Sequence, residues 1–386
     1  MLSAFKDFIS PLDTEVFYRE YWEQKEAFIG SSDNARFQHY FKPTDFESVL
    51  TNRTLQWGQI QLANHNPAES WENLTNLPIS YSTLKKAINQ GDSIIINNLQ
   101  SFWVPLARLC RSLERIFDFT VNANLYVTPP KSQGLSPHFD EQDVFVMQIA
   151  GEKTWNIYNN DYQLPLDINL EWLQQDHNHI KSRYALKPGD LLYIPRGVPH
   201  DAFSHDSTSI HITLAVSTVR WLGLINELLI TAAENDIDLR KGIPIGFLNK
   251  DPNLLIHTLR ERLERSLANM SVERVFERYA DKLISRMYLF PRTSNLFSDD
   301  CAKPINLSSR VQQSETAYFF VQRSENSVTL KYPEGALTGP FEIEEAFQFI
   351  SNNRDYCIGE LPDSVDDETK VIIIERLVAE NVLEIL

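Results

Sequence analysis

Pro137-His138-Phe139-Asp140, answered further on by Leu191-Leu192-Tyr193-Ile194-Pro195-Arg196-Gly197-Val198-Pro199-His200, is the pair of segments from which this chain is best read. Two imidazoles and one carboxylate can occupy one face of an octahedral Fe(II), leaving the opposite positions open for a co-substrate and O₂. Residues i and i+2 of an extended strand point the same way, so His138 and Asp140 form one chelating edge and a second strand must bring His200 across. A structural zinc site would need a fourth protein ligand.

An isolated H-x-D triplet arises by chance in a chain of this length, but its surroundings sharpen it. Asn124-Leu125-Tyr126 lies on the strand before it, Ser132-Gln133-Gly134 forms an approach loop, and Gly151-Glu152-Lys153-Thr154-Trp155 turns into a strand after it. Lys187-Pro188-Gly189-Asp190 makes the tight turn into the strand that leads to His200.

Outward from these motifs, strand-like runs recur between Thr51 and Val219: Ser93 to Asn97, Asn122 to Thr128, Val144 to Ile149, Thr154 to Tyr158, Asp190 to Ile194 and Ser209 to Val216. Short strands separated by Pro/Gly turns predict a β-barrel or jelly roll. One helix interrupts them, Val104 to Phe117, with Leu106, Leu109, Leu113 and Ile116 on a single face, and it should pack outside the barrel. Residues 1–50 read as a brace. Residues 220–290 read as helical, with Leu255, Leu259, Leu263 and Leu267 repeating every four residues, a stripe that suits either ordinary packing or a dimerisation bundle. Residues 291–386 open on a loop-like linker. They continue with helical patterns from Glu342 to Asn352 and Asp366 to Asn381 and strand-like Ser327 to Tyr332, a small α+β unit such as a winged helix.

The 386 residues are enough for two or three domains. A net charge of -16 argues against tracking DNA or anionic membrane by bulk electrostatics and would attract a basic protein or peptide. Cys110, Cys301 and Cys357 are odd in number and lack C-x-x-C spacing, which excludes a disulfide framework and points to a reducing cytoplasm. Met1 to Phe8 lacks the apolar core of a signal peptide, and no later run has the length of a membrane span.

Residues 90–217 resemble the JmjC-type cupin domain of the ribosomal oxygenases, with the phrase from Asn124 through Trp155 particular to that subgroup. The resemblance implies an α+β protein with a double-stranded β-helix core (51–219), a helical dimerisation region and a C-terminal winged-helix-like domain, assembled as a homodimer. It implies an enzyme that uses Fe(II), 2-oxoglutarate and O₂ to hydroxylate an arginyl or histidyl side chain of a ribosomal protein. Residue by residue, His138, Asp140 and His200 fall on the metal ligands, and Lys153 falls where a basic residue pairs with the distal carboxylate of 2-oxoglutarate. Asn124 and Tyr126 fall on polar positions lining the same pocket. Ala215 stands where some members carry a serine, so no serine contact is carried over.

The residues have readings of their own. Burial would push Lys153 toward neutrality, and a bound anion would keep it charged; alone it would read as a surface lysine. His211, mid-strand, reads as a core histidine satisfied by a neighbour. His177 and His179 could suggest a second metal but lack partners at ligand spacing. His205 reads as solvated. Arg196 and Asp201 flank the third ligand and either orient it or touch substrate, and Trp155 and Phe145 read as barrel filling. Two other functions compete: a tailoring hydroxylase of a small peptide or precursor, and a non-catalytic interaction module, which should have lost a ligand or Lys153. A nucleic-acid regulator is disfavoured because Asp363 to Glu380 is dominated by acids.

Overall fold

The computed structural model describes residues 2–51, 59–63, 81–159, 163–166, 179–249, 251–268, 272–287, 289, 304–324 and 326–386. Its centre is a double-layered antiparallel barrel built from β1 (Ala27–Ile29), β2 (Ile60–Ala63), β3 (Ser93–Ile96), β4 (Thr120–Thr128), β5 (Asp143–Ala150), β6 (Lys153–Tyr158), β7 (Ile180–Leu186), β8 (Leu191–Ile194), β9 (His200–Ser204) and β10 (Ser209–Ser217). The larger sheet runs β1-β8-β5-β10-β4-β3-β2 and the smaller β7-β6-β9.

Side-chain alternation assigns each strand two faces. On β5, Val144 and Val146 enter the space between the sheets with Trp155, Ile157, Leu192 and Ile194. Phe145, Met147 and Ile149 face the other way. That outer face carries the larger core, where the helix Val104–Phe117 and the N-terminal segment, through Phe5, Phe8 and Phe17, close over the sheet. Because both faces of β5 and β8 are covered, these strands are apolar throughout, as in a buried central strand. Phe145 therefore does not fill the barrel: it meets Phe5, Phe8, Phe17 and Tyr193 edge-on or tilted on the outer face. Trp155 does face the interior.

The same alternation makes one patch of the interior polar. β4 sends Val121, Ala123, Leu125 and Val127 to the outer core, and β10 does the same with Ile210, Ile212, Leu214 and Val216. Their intervening residues, Tyr126, Thr128, His211 and Thr213 among them, consequently line the barrel, with His211 opposite Tyr126 and Thr213 opposite Asn124 in register.

Beyond the barrel come helices Trp221–Asn235, Pro252–Ala268 and Val272–Ile284. The C-terminal residues enclose a separate core centred on Val311, Leu330, Phe347, Ile374 and Leu377. Its helices, Glu344–Asn352 and Asp367–Ala379, lie beside two three-stranded sheets. Among the described residues, no helix is long and apolar enough to cross a membrane.

Candidate functional site

His138, Asp140 and His200 meet at one end of the barrel. Their ligand atoms all lie within 4.8 Å of one another. Asp140 Oδ1 is 3.9 Å from His138 Nε2, and Oδ2 is 3.7 Å from His200 Nε2. His200 opens β9, as the need for a second strand required. His138 and Asp140 lie on the loop before β5, outside any named strand, and the expected chelating strand is reduced to a single bridge. In that bridge His138 N–H donates to His200 O at 3.0 Å and His200 N–H to His138 O at 2.7 Å. Asp140 is fixed from the other side, its backbone carbonyl accepting Gly197 N–H at 2.8 Å. Gly197 has φ +79°, and a Cβ there would meet Pro165 Cδ at 2.1 Å, so the turn before His200 requires glycine.

Each imidazole is oriented by a backbone carbonyl: His138 Nδ1 is 2.8 Å from Ser136 O, and His200 Nδ1 is 2.9 Å from Val198 O. A carbonyl only accepts, so each Nδ1 carries the hydrogen and each Nε2 presents its lone pair toward Asp140. Burial, and then the neighbouring His138, bring His200 down to about 4, so its ring is neutral at pH 7. Two lone-pair nitrogens and a carboxylate, with hydrogen-bonded outer nitrogens, are a donor set that fits Fe(II).

The cavity behind the triad ends on Lys153. Its amine is 4% exposed, donates to Thr128 Oγ1 at 2.9 Å, and lies 5.9 Å from the Trp155 ring centre. Thr128 Oγ1 also accepts from Ser93 Oγ at 3.1 Å. Burial pushes the amine down to about 7, and among the described residues no carboxylate forms an ion pair with it. Lys153 is therefore no surface lysine; it waits in the wall for an anion.

Tyr126 lines the same cavity, while Asn124, on the same face of β4, is not among the lining residues. Asn124 Oδ1 accepts Asn98 N–H at 3.0 Å. His211 departs from the reading of a satisfied core histidine. It is buried and stacked flat on Tyr126 with ring centres 4.6 Å apart, but Nδ1 has no hydrogen-bond partner. Thr128 and Thr213 also line the cavity and went unrecognised in the sequence. Their signal was available: strand parity with Tyr126 and His211. His205 is engaged rather than solvated, its Nε2 2.8 Å from Thr154 Oγ1. His177 lies outside the described residues, and so does any pairing with His179. Arg196 turns away from the cavity onto Glu23 at 2.7 Å.

The comparisons with known proteins follow this geometry. A JmjC domain model matches residues 97–223, the span that carries the triad and Lys153, so this is a JmjC-domain protein. Within that class the chain is related in sequence to ribosomal oxygenases. It is 31% identical to ribosomal oxygenase 2 of Bos taurus over 281 residues, 69% of this chain and 60% of that protein. It is 30% identical to ribosomal oxygenase 1 of Homo sapiens over 258 residues, 64% of this chain and 40% of that one. A Drosophila persimilis relative, 32% identical over 61% of this chain and 36% of its own length, is named bifunctional lysine-specific demethylase and histidyl-hydroxylase NO66. The chain thus spans less than two thirds of these relatives. Its fold matches that of Escherichia coli YcfD, a ribosomal oxygenase solved with cobalt and 2-oxoglutarate, with a TM-score of 0.58, 16% identity, and coverage of 97% of this chain and 98% of that one.

Proposed function

We propose that the protein is an Fe(II)- and 2-oxoglutarate-dependent oxygenase that hydroxylates an arginyl or histidyl side chain of a ribosomal protein. The observation that carries this is the pairing, in one cavity, of an oriented His138/Asp140/His200 donor set with a buried lysine that has no carboxylate partner among the described residues. The naming of the relatives and the cobalt and 2-oxoglutarate in YcfD support it.

Bound at the triad, Fe(II) would supply the activation of O₂ coupled to 2-oxoglutarate decarboxylation. The chain's own residues bind and orient. His138, Asp140 and His200 hold the metal on one face, and their carbonyl-anchored rings enter that task already aligned, which lowers the reorganisation required. Lys153 holds the far carboxylate of the diacid. Tyr126, Thr128 and Thr213 offer hydroxyls beside it, and Val144, Val146 and Trp155 keep the inner cavity dry. In such surroundings a charge-assisted contact is stronger than in water. No side-chain acid or base is required of the chain.

The acidic surface suits a basic substrate segment in the cytoplasm. The helical region 220–290 suits a homodimer: Leu254, Leu259 and Leu267 are each 60% or more exposed, more apolar surface than an isolated helix normally leaves in water. The C-terminal residues suit a winged-helix-like accessory unit. Of the competing readings, a non-catalytic module is disfavoured because no ligand is missing, and a small-precursor hydroxylase remains the alternative substrate class. Incubation with Fe(II), 2-oxoglutarate and a panel of ribosomal peptides, read by mass spectrometry, tests the reading. One added oxygen on a peptide and stoichiometric succinate support it; 2-oxoglutarate turnover confined to small precursors favours the alternative.

A further inference from the structure

Ser132–His138 runs beside β9 and is tied to it by backbone at its two ends. Ser204 N–H donates to Ser132 O at 3.0 Å, and the His138/His200 bridge closes the other end. Between them the chain arches away, and Gly134 and Leu135 of the arch form part of the cavity lip. The arch also carries Ser136 O, the carbonyl that orients His138. What holds it is a side chain: Gln133 Nε2 donates to Leu135 O within the arch at 3.0 Å and to Asp201 Oδ2 at 3.1 Å.

Asp201 is the fixed end. It is 8% exposed, and its Oδ1 accepts Asn156 Nδ2 at 2.7 Å while Oδ2 also accepts the Tyr158 hydroxyl at 3.0 Å. Both donors stand on β6, in the middle of the smaller sheet. Strand alternation puts Asp201 on the face of β9 opposite to His200, and it is absent from the cavity lining, so it touches neither metal nor substrate site.

We propose that Asp201 is a positioning residue: through Gln133 it fixes the 133–136 arch, and through Ser136 O the ring orientation of His138. The inference rests on the reading of His138, Asp140 and His200 as metal ligands. Partners of this kind commonly govern metal affinity by about 10–100-fold.

The test is Co(II) titration of the full chain, followed by the cobalt ligand-field absorption and by calorimetry, with thermal melting measured beside it. Gln133 lies on a partly exposed loop and spans no core, so Gln133→Ala should fold as the parent. The expected result is that Gln133→Ala and Asp201→Ala each weaken Co(II) binding about tenfold or more, with the double variant no worse than Asp201→Ala. Tyr158→Phe, which leaves the Gln133 contact intact, should bind as the parent. An unchanged Co(II) affinity in Gln133→Ala, or losses that add in the double variant, overturns the proposal. His138→Ala separates the two levels: parental Co(II) binding by that variant rejects the metal-site reading itself.

Discussion

Lys153 Nζ donates to Thr128 Oγ1 at 2.9 Å inside the barrel, the one hydrogen bond given to an amine that burial has brought down to about 7. A hydroxyl cannot neutralise an ammonium, so the pair forms half of an anion site, and the account assigns the other half to the distal carboxylate of 2-oxoglutarate.

Lys153→Ala should remove that contact while sparing the metal. A hydrogen bond to a charged group is worth about 1.5–3 kcal/mol, so the apparent 2-oxoglutarate affinity should fall on the order of 10–100-fold. Calorimetry with Mn(II) in place of iron checks both quantities. Unchanged co-substrate affinity would remove the anchor assignment.

The depressed amine gives the same contact a pH signature. Below about pH 7 the amine is already charged in the free protein, and co-substrate binding should be level. Above it, the bound carboxylate favours the ammonium, binding takes up a proton, and affinity should weaken toward tenfold per pH unit until the bound form itself titrates. Lys153→Arg keeps its charge throughout and should flatten the slope. A titration series in Mn(II) between about pH 6.5 and 9 reads this, and equal slopes for the two proteins would contradict it.

Leu259 stands on the exposed stripe of the helix Pro252–Ala268. Leu259→Asp should shift the protein from dimer to monomer in light scattering, because burying an unpaired carboxylate at an apolar interface costs several kcal/mol. A parent that is monomeric at micromolar concentration would reject the dimerisation reading.

Tyr193 joins the N-terminal segment to the barrel: its hydroxyl donates to Asp143 Oδ1 at 2.7 Å and accepts Glu23 N–H at 2.9 Å. Tyr193→Phe leaves the buried Asp143 short of a donor and should destabilise folding by about 1–3 kcal/mol in urea denaturation. A midpoint equal to the parent's would show that water or Arg196 replaces the hydroxyl without loss.

Much of the barrel was legible because its strands are apolar on both faces and end in Pro/Gly turns: Asn122 to Thr128, Val144 to Ile149 and Ser209 to Val216 each fall within one observed strand. β7 was missed because Ile180–Leu186 is a polar edge strand with few buried side chains. β1 was absorbed into an expected helix from Thr14 to Glu26; the helix ends at Glu20, and Ala27–Ile29 pairs with β8 only through tertiary contact. The triad was readable from residue type and spacing. His211 was not, since a histidine amid isoleucines looks like core until the structure shows Nδ1 unsatisfied and Tyr126 stacked on its face. The Gln133–Asp201 contact spans 68 positions, a separation that no local pattern encodes.

The most direct measurement is an anaerobic titration of the protein with Fe(II) and 2-oxoglutarate, watching for the visible metal-to-ligand charge-transfer band, with His138→Ala alongside. The account predicts a saturable band in the parent that is lost in the variant. No band in a parent shown to have bound iron, or an equal band in both proteins, would contradict a chelated oxygenase site at His138, Asp140 and His200.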